Sequence, residues 1–166
     1  MSAFSPSPRA HAVPGALFFR CQMITIIAPQ RATDRHGSGR YGARRGTRLH
    51  MGIDYAAWPG SLVCSATDGI VTRIGQCYAE LDKALYRLIE IERQDGALIR
   101  YLYLSPHVNA GQKIKRGQVI GSAQDLRTIY EGITPHVHVD VKIGGKFVDP
   151  DIYFAMTTGL KTELLD

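Results

Sequence analysis

The sequence lacks the features that mark several large classes of protein. No stretch approaches the roughly 18 consecutive apolar residues of a membrane-spanning helix. The three cysteines (Cys21, Cys64 and Cys77) are an odd number without a CxxC pair. A disulfide framework is therefore not expected, although one pair with one free thiol stays open. Internal repeats and long helical periodicity are also missing, and a length of 166 residues suits a single domain.

Acidic residues are almost missing from the N-terminal part. Residues 1–48 hold eight Arg and one Asp, or +7, whereas residues 49–166 hold twelve Lys or Arg against fourteen Asp or Glu, or −2. A basic segment suits nucleic acid or another anionic polymer, but no aromatic-interleaved binding pattern accompanies these cations. We therefore expect a solvated segment and no specific nucleic-acid partner.

Residues 1–22 contain no clear signal peptide. Their apolar run, AVPGALFF, is short, interrupted by Pro14 and Gly15, and closed by Arg20. We expect a disordered leader, or sequence upstream of a true start at Met23, followed by one folded domain over residues 23–166. Localisation and oligomeric state are not fixed by the sequence. If the protein leaves the cell, its route stays open: lysis, a phage particle or an unrecognised leader.

Short strands separated by glycine-containing turns are predicted from Met23 onward. Residues 23–27 predict a strand, and further short strands flank turns at Asp68-Gly69, Gln94-Asp95-Gly96 and Gly144-Gly145. The segment CYAELDKAL predicts one helical turn. The sequence therefore predicts an all-β or β-dominated fold of antiparallel sheets.

Two histidines stand one residue apart in TPHVHVD, residues 134–140. On a strand, His136 and His138 would point to the same face, roughly 7 Å apart. Metal ligation, catalysis and simple burial all remain open from this motif alone.

A second motif, RLHMGIDY, places His50 and Asp54 four residues apart. On a straight strand the two side chains would lie about 13 Å apart, too far to share a metal ion, but Gly52 allows a bend that brings them together. One carboxylate with one or two imidazoles suits Zn²⁺ with an open coordination position. The alternative, a hydrogen-bonded pair that closes the loop, leaves the HxH motif unexplained.

The order of these motifs, with GQKIKRGQVIG between them, resembles the lysostaphin-type zinc metallopeptidases over roughly residues 37–154. The resemblance implies the duplicated hybrid-motif fold of that family and zinc ligation by His50, Asp54 and His138. It assigns His136 to catalysis beside the metal-bound water. It also implies hydrolysis of peptide bonds in bacterial peptidoglycan, with peptidoglycan or a peptide as the partner and action outside the cytoplasm, at the cell envelope.

One position departs from the family pattern. Active members carry a second catalytic histidine in a Y-x-H-L-S strand, where this chain has Tyr103. A tyrosine hydroxyl can donate a hydrogen bond to an oxyanion but is a poor general base near neutral pH. His107, four residues on, is an alternative. With Tyr at this position, the chain resembles chemotaxin-like members of this fold. That resemblance implies a non-catalytic zinc-binding signalling module as the alternative function.

Four further residues near these motifs have open roles. Asp140 either orients an imidazole of the HxH pair or is a solvated charge. Arg44, in a segment similar to the family's FG-x-R pattern, either supports the site or is a loop cation, and Arg48 precedes HxGxD in the same stretch. We expect Trp58, next to Pro59 and Gly60, to anchor a turn or the core rather than to bind substrate.

Overall fold

A computed structural model describes residues 29–158 of the chain. This part contains twelve β-strands, one α-helix and two short 3-10 turns. The strands are β1 (Arg44–Arg45), β2 (Arg48–Leu49), β3 (Ile53–Ala56), β4 (Leu62–Cys64), β5 (Gly69–Gln76), β6 (Arg87–Glu92), β7 (Leu98–Leu102), β8 (Leu104–Pro106), β9 (Lys113–Ile114), β10 (Val119–Ala123), β11 (His136–Ile143) and β12 (Lys146–Val148). The helix α1 is Pro150–Thr158, and the 3-10 turns are Leu81–Lys83 and Leu126–Thr128.

The β-dominated antiparallel fold predicted from the sequence is confirmed. The hairpins at residues 94–96 and 144–145 and the helical turn in CYAELDKAL form where they were predicted. The predicted leader (residues 1–22) and the predicted strand at residues 23–27 lie outside the described residues, so the domain boundary stays a prediction.

The strands form two main sheets and one ribbon. Six strands of the larger sheet are hydrogen-bonded in the order β12-β11-β7-β6-β5-β9, and β3 pairs with the first half of β11 on the edge that β12 takes in the second half. The smaller sheet has the order β4-β10-β8, and β1 pairs only with β2. The larger sheet therefore places β3 and β7 on either side of β11, which carries the HxH motif.

The core lies against one face of β11. Val137, Val139 and Val141 are fully buried and pack with residues of the smaller sheet such as Leu104 and Ile120. Burying one such side chain stabilises the fold by about 1.5–3 kcal/mol, and a one-residue slip would exchange the two faces of the strand. The valines thus fix the register that turns the intervening polar residues to the opposite face.

The helix α1 was not predicted, although its first residues carry a recognisable signal. Asp149 precedes the helix and accepts a hydrogen bond from the Asp151 amide (3.0 Å), and Pro150 occupies the first helical position. Tyr153 and Phe154 pack against the core. Within the described residues no helix has the length and apolarity that a membrane crossing needs.

Candidate metal centre

Strand pairing brings the two sequence motifs together. Asp54 on β3 lies directly opposite His138 on β11, so both side chains emerge on the same face of the sheet. His136 lies two residues earlier on the same face of β11. His50 precedes β3 rather than belonging to it, so its approach to Asp54 does not need the bent strand that the sequence suggested.

The three predicted ligands form one compact group. The potential ligand atoms of His50, Asp54 and His138 all lie within 4.8 Å of one another. His138 Nδ1 is 3.0 Å from both His50 Nε2 and Asp54 Oδ1, and His50 Nε2 is 3.1 Å from Asp54 Oδ1. Two imidazoles and one carboxylate are a donor set typical of catalytic zinc sites, which keep a further position open.

Hydrogen bonds on the far side of each ring orient the two imidazoles. His50 Nδ1 lies 2.8 Å from the Arg40 carbonyl oxygen, which only accepts, so Nδ1 carries the proton and Nε2 is left with a lone pair for a metal. His138 Nε2 lies 3.4 Å from Asp140 Oδ2. Asp140 is buried and receives two hydrogen bonds of 2.8 Å from Arg100, so it orients His138 and is not a solvated charge.

Gly52 leaves the space that the His138 ring occupies. A Cβ atom at residue 52 would lie 2.6 Å from His138 Cε1 and Nε2 and 2.5 Å from the Val139 carbonyl oxygen. The backbone at Gly52 does not have a positive φ angle. Its function is therefore close approach, and the fit of ring, carboxylate and missing side chain agrees with a built metal site.

Two arginines that the sequence did not single out hold the outer oxygen of Asp54. Arg31 donates to Oδ2 from Nε and Nη2 (3.2 and 3.0 Å), and Arg45 donates to the same atom (2.6 Å). Burial raises the pKa of Asp54, but the adjacent His138 and His50 side chains outweigh it and hold that pKa well below its usual range.

The position of these arginines decides one open alternative and corrects one expectation. Arg44 is exposed, as the loop-cation alternative had it, and its neighbour Arg45 contacts Asp54. Arg48, the cross-strand partner of Arg45, is also exposed. The N-terminal cations were expected to be solvated, yet Arg31 is only 1% exposed. Its burial could not be inferred from the sequence because one of its two acidic partners, Asp54, is 23 residues away.

His136 lies beside the group without being part of it. Its Nδ1 is 2.8 Å from the Thr134 carbonyl oxygen, so Nδ1 carries the proton and the Nε2 lone pair faces Asp54 Oδ1 at 3.6 Å. Burial lowers the pKa of His136, which favours the neutral ring. The Tyr103 ring meets the His136 ring edge-on, with 5.7 Å between centroids.

Tyr103 occupies an unusual backbone conformation and joins a cluster of tyrosines. Its φ angle is +71°, the one positive φ of a non-glycine residue in the described part of the chain. Its hydroxyl accepts a hydrogen bond from Tyr78 (3.2 Å), which also contacts the Tyr130 hydroxyl (3.1 Å). Burial raises the pKa of Tyr103 to about 12, so the phenol remains protonated and able to donate.

Two other residues that the sequence singled out lie elsewhere. The exposed His107 ring contacts Ser122 Oγ at 3.5 Å, on the smaller sheet. Trp58 closes a turn through its carbonyl, which accepts from the Ser61 amide (3.0 Å), but its side chain is 71% exposed. The prediction of a turn is right for Trp58, and the prediction of a core anchor is wrong.

Comparison with known families decides the assignment of the chain. The profile of Peptidase family M23 matches residues 48–150, from just before His50 to the start of α1. This chain belongs to peptidase family M23. The matched span contains the three grouped residues, His136 and Tyr103, but not Arg31.

Relatives of this M23 chain include both a chemotaxin and a peptidase by name. Leukocyte cell-derived chemotaxin-2 of Bos taurus is 30% identical over 74% of this chain and 78% of its own length. The DD-carboxypeptidase/endopeptidase Mpg of Neisseria meningitidis is 33% identical over 62% of this chain, which matches only 22% of that protein. The catalytic domain of lysostaphin from Staphylococcus simulans superposes with a TM-score of 0.57 at 22% identity, covering 71% of this chain and 90% of that domain. The predicted lysostaphin-type fold is thus confirmed.

Proposed function

We propose that this M23 domain is a zinc-dependent endopeptidase that hydrolyses peptide bonds in bacterial cell-wall peptidoglycan. The observation that carries the proposal is the group of His50, Asp54 and His138 with the Nε2 lone pair of His136 facing it. A bound zinc ion supplies Lewis acidity that polarises a peptide carbonyl and activates water near neutral pH.

The protein groups around the ion have separate tasks in this proposal. His50, Asp54 and His138 hold the metal. His136 accepts and returns a proton through Nε2, because Thr134 occupies its Nδ1, and such proton transfer typically contributes 10²–10⁴-fold to the rate. Tyr103 donates a hydrogen bond to the developing oxyanion.

Membership of M23 and the Mpg likeness support cell-wall peptides as the substrate class. Such a substrate places the site of action outside the cytoplasm, at the cell envelope.

A second candidate is a zinc-binding module without turnover. Tyr103 in place of the family's second histidine favours it, together with the 30% identity to the bovine chemotaxin over most of that protein. Both candidates use the same metal site, so only turnover separates them.

Digestion of purified peptidoglycan by the zinc-loaded protein tests the choice, with released fragments measured by mass spectrometry. We expect His136→Ala to lower fragment release at least 100-fold, whereas His107→Ala, a change to an exposed histidine just after β8, leaves it unchanged. Equal, background release from wild type and His136→Ala would reject the enzyme, and activity gained by Tyr103→His would then support the binding module. Metal analysis of wild type and Asp54→Ala tests zinc separately: a wild type without zinc rejects both candidates.

A further inference from the structure

The segment from Arg31 to Gly39 runs beside the metal centre, although it lies outside residues 48–150, which the family profile matches. The Arg31 amide donates to the Asp54 carbonyl (2.7 Å), and the Asp54 amide donates to the Gly39 carbonyl (2.9 Å). This segment therefore bonds both backbone polar groups of Asp54, along the edge of β3 that faces away from β11.

The Arg31 side chain determines which oxygen of Asp54 faces the histidines. Nε and Nη2 of Arg31 both donate to Asp54 Oδ2, so Oδ1 is the oxygen left to face the site. The Arg31 side chain has no exposed surface, whereas the side chain of Arg45, which contacts the same oxygen, is 25% exposed. Because the planar guanidinium of Arg31 is buried on all sides, it has little freedom to reorient, and it therefore fixes the plane of the Asp54 carboxylate.

The third nitrogen of Arg31 continues the network towards the HxH strand. Arg31 Nη1 lies 2.5 Å from Asp34 Oδ2. The same Asp34 oxygen accepts the amide N–H of Thr134 (2.9 Å), and Asp34 Oδ1 accepts the amide N–H of His36 (2.8 Å). Asp34 therefore joins Arg31 to the loop that precedes β11.

That loop in turn holds His136. The Thr134 carbonyl oxygen accepts the Nδ1 proton of His136 (2.8 Å), so an unbroken series of contacts runs from Asp54 through Arg31, Asp34 and Thr134 to His136. We infer that Arg31 and Asp34 are positioning residues that fix the Asp54 carboxylate and the His136 imidazole relative to each other. We call this series of contacts the brace. Its contribution to catalysis rests on the proposed function, whereas its effects on metal affinity and on the His136 tautomer do not.

Gly39 supports the same arrangement. A Cβ atom at residue 39 would lie 2.6 Å from the Arg31 carbonyl oxygen and 2.8 Å from Arg31 Cβ. The segment can therefore lie this close to Arg31 only with a glycine there, which is a second device that keeps Arg31 in place.

Two variants and one control test the brace. Arg31→Lys keeps the charge but cannot bond to both carboxylates with a planar fork, and we expect it to lower zinc affinity 10- to 100-fold in chelator competition. Asp34→Asn offers one acceptor oxygen where the carboxylate has two. We expect ¹⁵N NMR to show a mixture of His136 tautomers in place of the Nδ1–H form of the wild type, and kcat to fall with KM unchanged. Arg35→Gln is the matched control, because Arg35 bonds the Glu131 carbonyl of the same loop (2.6 Å) but neither Asp54 nor Thr134.

Each outcome decides for or against the brace. Wild-type zinc affinity in a folded Arg31→Lys, together with a wild-type His136 tautomer in a folded Asp34→Asn, overturns it. So does an Nε2–H tautomer in the wild type itself, a measurement that needs no variant to fold. An equal effect of Arg35→Gln also overturns it, since general docking of the segment would then suffice. A wild type that cleaves nothing, with zinc affinity and tautomer still changing in the variants, sinks the proposed function and leaves the brace standing.

Discussion

A side chain at residue 52 would collide with the His138 ring, and this close approach, not a backbone conformation that favours glycine, explains Gly52. From the sequence, this glycine was expected to bend a strand, but β3 begins only at Ile53 and the neighbouring His138 ring fills the space where a side chain would be. The motif spacing predicted that His50 and Asp54 meet. The reason was not predictable, because it depends on a strand more than 80 residues away.

Gly52→Ala should damage the metal site more than the fold. The added methyl must displace either the His138 ring or the Val139 carbonyl, at a cost of about 1–3 kcal/mol in unfolding free energy. Moving the ring also removes a ligand, so zinc affinity should fall at least tenfold, as measured by chelator competition.

Gly96→Ala separates the two effects. Gly96 has φ +78° in the β6–β7 hairpin and open space around its Cβ position, so the substitution costs about 1 kcal/mol through backbone strain. Zinc affinity should stay at the wild-type value. Equal zinc affinities for the two alanine variants would contradict the steric account of Gly52.

Arg44 and Arg45 show a limit of prediction for single residues. The sequence left open whether Arg44 supports the site. Adjacent residues of an extended strand point to opposite faces, and of this pair only Arg45 reaches Asp54. A two-residue strand carries no periodicity from which the inward-facing residue could be read. Which of the two arginines faces Asp54 depends on how the ribbon packs against the rest of the domain.

The strand β11 is the element that the sequence described best. The sequence predicted that His136 and His138 point to the same face of a strand, and they do, with the intervening valine on the buried face. The helix α1 escaped prediction because nine residues are too few for a clear helical period, although the Asp149-Pro150 pair was a usable signal. Contacts between loops, such as the tyrosine cluster, had no sequence signature.

The Tyr78 hydroxyl ties two loops together beside the site. It bonds to Tyr103 and Tyr130, so Tyr78→Phe leaves both hydroxyls with one partner fewer, at a cost of about 1 kcal/mol in unfolding free energy. We expect faster hydrogen exchange in the turns Leu81–Lys83 and Leu126–Thr128, measured residue by residue by NMR.

Tyr41→Phe is the control for this change. The Tyr41 hydroxyl donates to the Phe147 carbonyl (3.3 Å) and takes no part in the cluster. Its removal should leave exchange in the two turns as in the wild type. A uniform acceleration across the whole domain in Tyr78→Phe would mean that the hydroxyl stabilises the fold in general and not these loops.

At the scale of the whole molecule, some of the N-terminal arginines form ion pairs in the interior instead of facing solvent. The N-terminal excess of arginine looked like a solvated segment in the sequence, yet Arg31 and Arg45 turn inward and balance Asp34 and Asp54. Such a balanced cluster ties the stability of the domain to the ionisation of its carboxyl groups.

Acid should therefore destabilise the zinc-free domain through Asp34. Burial raises the pKa of Asp34, but hydrogen bonds from Arg31 and from the amides of Thr134 and His36 outweigh it, so the pKa lies below its ordinary value. A carboxyl group with a lowered pKa contributes stability above its unfolded-state pKa of about 4 and loses it as the pH falls further. The unfolding free energy, measured by urea titration in chelator from pH 7 to pH 3, should fall less steeply below about pH 4 in Asp34→Asn than in the wild type.

Asp125→Asn is the comparison for acid stability. Asp125 pairs with Arg127 at the exposed surface, where solvent screens the interaction. It should flatten the acid limb less than Asp34→Asn does. Indistinguishable acid limbs in the wild type and Asp34→Asn would show that the Arg31–Asp34 pair does not couple ionisation to folding.

Tyr103 lies at the corner where the chain passes from one sheet to the other. The chain leaves the larger sheet at the end of β7 and enters the smaller sheet with β8, and Tyr103 is the one residue between them. Its left-handed backbone conformation falls at this crossing. A single substitution there exchanges a hydrogen-bond donor for a base while both sheets keep their course. If the proposed function holds, turnover can therefore be altered at this one position without rebuilding either sheet.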